Sequence, residues 1–205
     1  MSKYTSKAAP KILPPAGTHN ARLVRIAEMG TQETEFGEKF KVQLSYELVE
    51  ESAVFNEDKG EQNFVVHKTY NRSLHKRADL GKDITAILGR DLEENEEFEM
   101  DDLLGEPCQV VVVITEDEQY ANIKAVIPAN KKAKIPKAES ELKSLYLDEN
   151  FDEDVYDSLP EGMKEKIAAS QEYKDIEGSS APKSKKGKEP VKKQVAKKPL
   201  KKGKR

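Results

Sequence analysis

The clearest pattern in this sequence is a strict alternation of apolar and polar residues between positions 38 and 49. The apolar positions are Phe40, Val42, Leu44, Tyr46 and Leu48. A period of two is typical of a half-buried strand, because successive side chains of a strand point to opposite faces of the sheet. The pattern therefore predicts a strand whose core-facing side includes Phe40 and Tyr46.

Four more apolar segments have the length of strands, and one segment has a helical period. The predicted strands cover residues 18–29, 62–70, 108–115 and 120–128. Between the third and fourth strands the period changes: Leu80, Ile84, Ile87 and Leu88 recur at helical spacing. Ser73 is the candidate N-cap of this helix and Gly89 its candidate end. Polar loops, including an acidic one at 50–61, separate the elements.

The predicted order is three strands, a helix and two strands. Five strands with a helix between the third and fourth is the order of the OB-fold, a five-stranded Greek-key barrel. We therefore expect a mainly β, OB-fold-like barrel. A generic five-stranded α+β meander would show a similar order and stays open as an alternative.

The composition divides the chain into four parts. They are an N-terminal arm (1–16), the OB-fold domain (17–128), a segment with a basic linker, an acidic stretch and a short helix (129–178), and a Lys-rich tail (179–205). The helix of the third part opens at Ser158 with a capping box. Leu159, Met163 and Ile167 lie on one face of this amphipathic helix.

Charge is distributed very unevenly along the chain. Residues 183–205 contain twelve basic residues and one acidic residue, out of 35 basic and 38 acidic residues in all. Residues 1–182 therefore contain 23 basic and 37 acidic residues, a net charge of −14. We expect the uniformly basic tail to be disordered. It should bind polyanions, because each Lys placed on a phosphate releases counterions.

The sequence lacks the residues that several classes of function require. Cys108 is the only cysteine, so the chain has no intrachain disulfide and no cysteine-based zinc site. His19, His67 and His75 lack the spacing of a metal motif, and no glycine-rich phosphate loop is present. The sequence predicts a protein that is not an enzyme and needs no cofactor or metal.

The location of the protein also follows from the sequence as an expectation. No segment reaches the ~18 apolar residues of a membrane span. The first residues lack the apolar core of a signal peptide. We therefore expect no membrane association and a cytoplasmic location.

A candidate binding face follows from the predicted barrel. OB barrels hold single strands on strands 2 and 3 and on the β1–β2 and β4–β5 loops, where cations meet phosphates and aromatic rings stack on bases. The residues predicted to bind single-stranded DNA are Phe36, Lys39, Lys41, Gln43, Lys68, Tyr70, Arg72, Lys76, Arg77, Tyr120, Asn122 and Lys124. An ordinary solvent-facing surface would contain similar residues.

Five short stretches carry a family resemblance. They are residues 13–18, 37–41, 102–108, 120–123 and 159–161, the last followed by Lys166, Ile167 and Ser170. In their order and spacing the chain resembles phage-encoded, OB-fold single-stranded-DNA-binding proteins from replication and recombination gene clusters. The resemblance implies sequence-tolerant binding that protects single-stranded DNA without a cofactor, and for a phage-encoded chain the expected location is the cytoplasm of the host cell. A separate prediction is contact with replication or recombination proteins through residues 148–173.

One departure from the family leaves alternatives open. Proteins of this type commonly end in an acidic tail, whereas here the acidic stretch at 148–157 is internal and the terminus is basic. The role of the tail is therefore undetermined. The acidic body favours an interaction adaptor or DNA mimic that binds a basic protein, and an OB barrel would also fit an RNA-binding protein.

Overall fold

The structure is a computed structural model that describes residues 11–178 except 94, 95, 97 and 131. Its strands are β1 (Gly17–Gln32), β2 (Lys39–Asn56), β3 (Gly60–Asn71), β4 (Pro107–Ile114), β5 (Ala121–Pro128) and β6 (Lys143–Leu145). Its helices are α1 (Asp79–Leu88), α2 (Glu153–Asp157), α3 (Glu161–Ala169) and α4 (Gln171–Gly178), with a 3₁₀ turn at Met100–Leu103. The Lys-rich tail, predicted to be disordered, lies outside the described residues.

β1 is the central strand of a single sheet. The strands follow the order β3-β2-β1-β4-β5, and every neighbouring pair in this order is antiparallel. The short β6 lies parallel to β1. The sheet is not closed by hydrogen bonds, although the edge strands β3 and β5 have Cα atoms within 8 Å of each other. The prediction of a mainly β chain with a helix between the third and fourth strands is confirmed.

The larger hydrophobic cluster lies between one face of the sheet and α1. Leu44 and Tyr46 of β2 are fully buried in it, and Leu80 and Ile84 of α1 pack against them. α1 ends where the sequence predicts, because Gly89 takes the left-handed conformation with φ of 67°. The alternation of β2 and the helical period of α1 thus build the same core.

α1 starts at Asp79, later than the predicted cap at Ser73. Residues 73–78 form turns instead, and the N–H of Ala78 donates to the carbonyl of His75 at 2.8 Å. This loop folds across the first turn of the helix at Gly81. A Cβ atom at Gly81 would lie only 2.5 Å from the His75 carbonyl oxygen, so the close approach requires glycine.

The acidic segment 50–61 is not the loop that its composition predicts. β2 continues to Asn56 and β3 begins at Gly60, so most of the segment forms a hairpin. Cross-strand pairing extends to the tip, and the ring of Phe55 contacts that of Phe64 at a centroid distance of 5.0 Å. Exposed acidic side chains are compatible with a hairpin that projects into solvent, because they need no burial.

A second hydrophobic cluster covers the other face of β1. Ala27 and Met29 of β1 are buried there beneath Leu145 of β6 and beneath Met163 and Ile167 of α3. The segment 129–178, predicted to be a linker and a separate helix, therefore contributes a second layer to the fold. The apolar face of the predicted amphipathic helix packs against the sheet rather than facing solvent.

Buried polar side chains attach this second layer to the sheet. The carboxylate of Glu47, fully buried on β2, accepts the backbone N–H groups of Glu139 and Ser140 at 2.8 and 2.7 Å. The guanidinium of Arg22 on β1 donates to the carbonyls of Ile135 and Pro136. The charged side chains thus form hydrogen bonds with backbone groups of residues 135–140, a segment that has little regular structure of its own.

Candidate nucleic-acid interface

The twelve predicted binding residues do not form one surface. β1 pairs with β2 as far as Gln32 and Lys39, and with β4 from Arg22 back to Gly17. The β1–β2 loop and the β4–β5 turn therefore lie beyond opposite ends of β1. The residues near the β1–β2 end are Phe36, Lys39, Lys41, Gln43, Lys68, Tyr70, Arg72, Lys76 and Arg77. Tyr120 lies in the β4–β5 turn beyond the other end of β1, and Asn122 and Lys124 follow it on β5.

Five cations lie on neighbouring segments at the β1–β2 end, and we call them the cationic cluster: Lys39, Lys41, Arg72, Lys76 and Arg77. Lys39 and Lys41 lie on the opposite face of β2 from Phe40, whose ring Arg72 covers. The start of β2 and the end of β3 are neighbours there, because the N–H of Arg72 donates to the carbonyl of Phe40 at 2.8 Å. The Nζ of Lys41 lies 2.7 Å from the Oδ1 of Asn71. Lys76 and Arg77 follow on the loop that leaves β3.

Most cations of this cluster form no salt bridge within the described part of the chain. Among the described residues, no carboxylate forms a salt bridge with Lys39, Lys41, Lys76 or Arg77. Arg72 is the exception, since its guanidinium lies 3.3 Å from the Oε1 of Glu28. These groups can therefore contact an anion without first breaking an internal ion pair.

Two aromatic rings accompany the cationic cluster. Phe36 in the β1–β2 loop is 85% exposed, the largest exposed fraction among the large apolar side chains of the described residues. The half-buried Phe40 lies beneath Arg72, whose guanidinium is 4.7 Å from the ring centroid. Phe40, predicted to lie on the core-facing side of β2, is thus half-buried and covered by a cation, while Phe36 offers an open face for stacking.

Lys68 and Tyr70 do not belong to this surface, and their prediction as binding residues is corrected. Tyr70 is only 3% exposed, and its hydroxyl donates to the carboxylate of Asp83 on α1 at 2.7 Å. The Nζ of Lys68 lies 2.6 Å from the same carboxylate, and the hydroxyls of Tyr46 and Tyr70 are 3.2 Å apart. Burial raises the pKa of Tyr70 far above its usual value. This network joins β2 and β3 to α1.

The outer face of β2 becomes less accessible away from the cluster. Gln43 donates to the hydroxyl of Thr69 at 3.2 Å, and its buried Oε1 has no hydrogen-bond partner within the described part of the chain. Ser45 is fully buried. Its hydroxyl lies 2.9 Å from Nδ1 of His67 and 3.3 Å from Nε of Arg25. A buried hydroxyl held by Arg25 has no access to a substrate, so this serine–histidine pair is structural.

A smaller surface lies at the opposite end of the sheet. Tyr120, in the β4–β5 turn, is 57% exposed, and Asn122 and Lys124 are exposed on β5. The Nζ of Lys11 lies 4.2 Å from the centroid of the Tyr120 ring. Lys11 belongs to the arm, and nothing in its sequence neighbourhood indicates this contact.

The described residues offer no metal site and no reactive thiol. No group of three or more His, Cys, Asp or Glu side chains in the described ranges could hold a metal ion. Cys108 is fully buried, and burial raises the pKa of its thiol to about 12. The thiolate, which is the reactive form, is therefore not populated near neutral pH.

Comparison with known proteins gives no family assignment. No protein-family model matches the sequence, and no curated protein is significantly similar to it. None of the helices within the described residues is long and apolar enough to span a membrane.

Proposed function

We propose that this protein binds single-stranded DNA with little dependence on sequence, through an OB-type barrel. The strand order β3-β2-β1-β4-β5, with α1 between β3 and β4, supports the barrel, as does the proximity of the edge strands β3 and β5. The resemblance to phage single-stranded-DNA-binding proteins supports a role in protecting single strands during phage replication or recombination.

The observation that carries this proposal is the cationic cluster beside an exposed aromatic ring. Lys39, Lys41, Lys76 and Arg77 can contact phosphates, and Phe36 can stack on a base. Cations that follow the backbone and rings that accept any base are the two requirements for sequence-tolerant binding of single strands. A duplex satisfies the cations but not Phe36, because its bases are already stacked.

Charge reversal at the cluster tests the proposal. Lys39→Glu should weaken binding of an oligodeoxythymidine and lower the log–log salt slope by about 0.7, the contribution of one phosphate contact. Lys59→Glu, at the exposed turn between β2 and β3 at the far end of β2, is the matched control and should change little. Equal losses in both variants would mean that only overall charge matters.

Removal of the ring tests stacking separately. Phe36→Ala should weaken binding by about 1–3 kcal/mol, the usual value for one stacked base. Phe55→Ala is the control, since Phe55 is 45% exposed on the distant β2–β3 hairpin. Circular dichroism of each variant verifies that the fold is retained. A Phe36→Ala protein that binds like wild type contradicts stacking at this loop.

The Lys-rich tail should add affinity without selectivity. In a truncation to residues 1–182, loss of about four phosphate contacts would lower the salt slope by roughly 3. The truncated chain should still prefer single strands to duplex DNA. If nucleic-acid binding disappears entirely, the cationic cluster is not a binding site.

That outcome would favour the second candidate, an acidic adaptor or DNA mimic. The observation behind it is the exposure of the internal acidic stretch, where Asp148, Glu149, Asp152, Glu153 and Asp154 all face solvent. Such a surface suits a basic protein partner, including one engaged in replication or recombination. A parallel titration with single-stranded RNA distinguishes DNA binding from RNA binding, since both present phosphates and unpaired bases.

A further inference from the structure

A cavity of about 410 Å³ opens beside the cationic cluster. Apolar residues of separate elements contribute to its lining: Ile26 of β1, Val42 of β2, Leu80 of α1, Met100 of the 3₁₀ turn, and Leu147 after β6. The volume lies within the range of roughly 300–1,000 Å³ that is typical of pockets for small ligands. Residues of both hydrophobic clusters therefore line a recess that is accessible from the surface.

The rim of the cavity contains aromatic and charged groups. Phe98 and Tyr146 are its aromatic residues, and Leu74, at 44% exposure, lies at the mouth. Arg72 lines the cavity and also belongs to the cationic cluster. The recess and the cluster thus share Arg72, and Lys76 and Arg77 follow Leu74 on the same loop. Lys39 and Lys41 lie on the opposite face of β2 from Val42, which lines the cavity.

The polar groups of the cavity include both donors and acceptors. Glu28 is 7% exposed; its Oε2 accepts the N–H of Leu147 at 2.9 Å, and its Oε1 faces Arg72 at 3.3 Å. Asp148 adds a carboxylate on the rim. Carboxylates accept hydrogen bonds from the exocyclic amine of a base, and an arginine donates to ring nitrogens and carbonyls. Two carboxylates make the recess unsuitable for a phosphate, which would be repelled.

We propose that this cavity receives one unpaired nucleobase while the adjacent phosphates lie on Lys76 and Arg77 of the cationic cluster; the proposal rests on the proposed function. Apolar walls would cover the faces of the base, and Glu28, Asp148 and Arg72 would meet its polar edge. A paired base cannot enter, because its edge is occupied and it is held in the stack. The cavity would therefore contribute directly to selectivity for single strands.

The test compares two strands with the same number of phosphates. One is an oligodeoxycytidine, and the other is an abasic strand of equal length. Leu74→Trp closes the mouth of the cavity, and Leu142→Trp adds the same side chain at a site of similar exposure, 47%, that does not line this cavity. Thermal unfolding of both variants verifies that the fold is retained.

We expect Leu74→Trp to bind oligodeoxycytidine about tenfold more weakly than wild type, the usual loss for one stacked base. Its affinity for the abasic strand should not change, and Leu142→Trp should match wild type on both strands. Phe98→Ala, which removes an aromatic residue from the cavity, should also weaken only the base-bearing strand. This second variant keeps the test valid if Leu74→Trp does not fold.

Several results would overturn the inference. Unchanged or tighter binding of oligodeoxycytidine by Leu74→Trp would mean that no base enters the cavity. An equal loss of affinity for both strands would mean that the substitution at Leu74 affects phosphate binding rather than base binding. If wild type binds oligodeoxycytidine and either of these results follows, the inference fails while the proposed function survives. If wild type binds no single-stranded DNA, both fail.

Discussion

The second hydrophobic cluster predicts that a substitution in α3 destabilises the whole described fold. Ile167 is fully buried against Ala27 and Met29 of β1, more than a hundred residues away in the sequence. Ile167→Ala removes three carbon atoms from this site and leaves a cavity. Large-to-small changes of this kind cost about 2–5 kcal/mol. If 129–178 were a flank, the cost to the sheet would be near zero.

Urea unfolding followed by far-ultraviolet circular dichroism measures this effect. A loss of about 3 kcal/mol corresponds to a fall in melting temperature of roughly 6–12 °C for a chain of this size. Leu142→Ala is the control, since Leu142 lies close to β6 but is 47% exposed. Its stability should change by less than about 0.5 kcal/mol.

Two outcomes would refute the argument about Ile167. One is an unchanged unfolding midpoint in Ile167→Ala, which would mean that α3 does not support the sheet. The other is a separate early transition that involves only helical signal, with the sheet unfolding at the wild-type midpoint. A single transition shifted to lower urea is expected because the two clusters share β1.

The remaining predictions concern a backbone contact and a buried carboxylate. Gly30→Ala should destabilise more than Gly89→Ala: both glycines have positive φ (69° and 67°), but only at Gly30 would the new Cβ collide with Ser170, at 2.4 Å, and equal losses in urea unfolding would contradict this. Burial raises the pKa of Glu47, but hydrogen bonds from Ser140, Glu139 and Asn63 outweigh it and leave the pKa below 4.5. Its carboxylate therefore stabilises the fold above pH 4.5, and this contribution is lost as the pH falls through the lowered pKa. The stability difference between wild type and Glu47→Gln should narrow at acid pH, and a constant difference would disprove the assignment.

The first layer of the fold was predictable because each element follows one simple period. The alternation of β2 and the helical spacing of Leu80, Ile84 and Ile87 both indicate which side chains meet in the larger cluster. The length of the β2–β3 hairpin was not predictable in this way. Its tip is exposed and acidic, so neither burial nor composition indicates a strand.

The second layer was missed although β1 contains a signal for it. Ala21, Leu23 and Ile26 belong to the larger cluster, while Ala27 and Met29 belong to the second. A strand that is apolar on both faces must be covered on both faces. That pattern indicates a second layer, but the apolar residues that provide it are dispersed within a strongly charged segment.

The placement of Lys68 and Tyr70 was wrong for a related reason. Phe64 and Val66 face the core, so residues at the next two even positions of β3 also face inward. Their types suggested a DNA-binding surface, but strand parity determines the face. The inward position is tolerated because Asp83 on α1 accepts hydrogen bonds from both side chains, and residue type alone cannot reveal a partner on another element.

The negative charge of the body argues against nucleic-acid binding less strongly than its formal value suggests. Glu28, Glu47 and Asp83 are included in that value, yet each is at most 7% exposed and is held by backbone N–H groups or by Lys68, Tyr70 or Arg72. Exposed charges act over about 8–10 Å at physiological ionic strength. A nucleic acid at the start of β2 therefore responds chiefly to the exposed charges nearby, which are the cationic cluster and Glu33, Glu35 and Glu38 of the β1–β2 loop. The acidic residues elsewhere would act on the rate of approach rather than on the bound state.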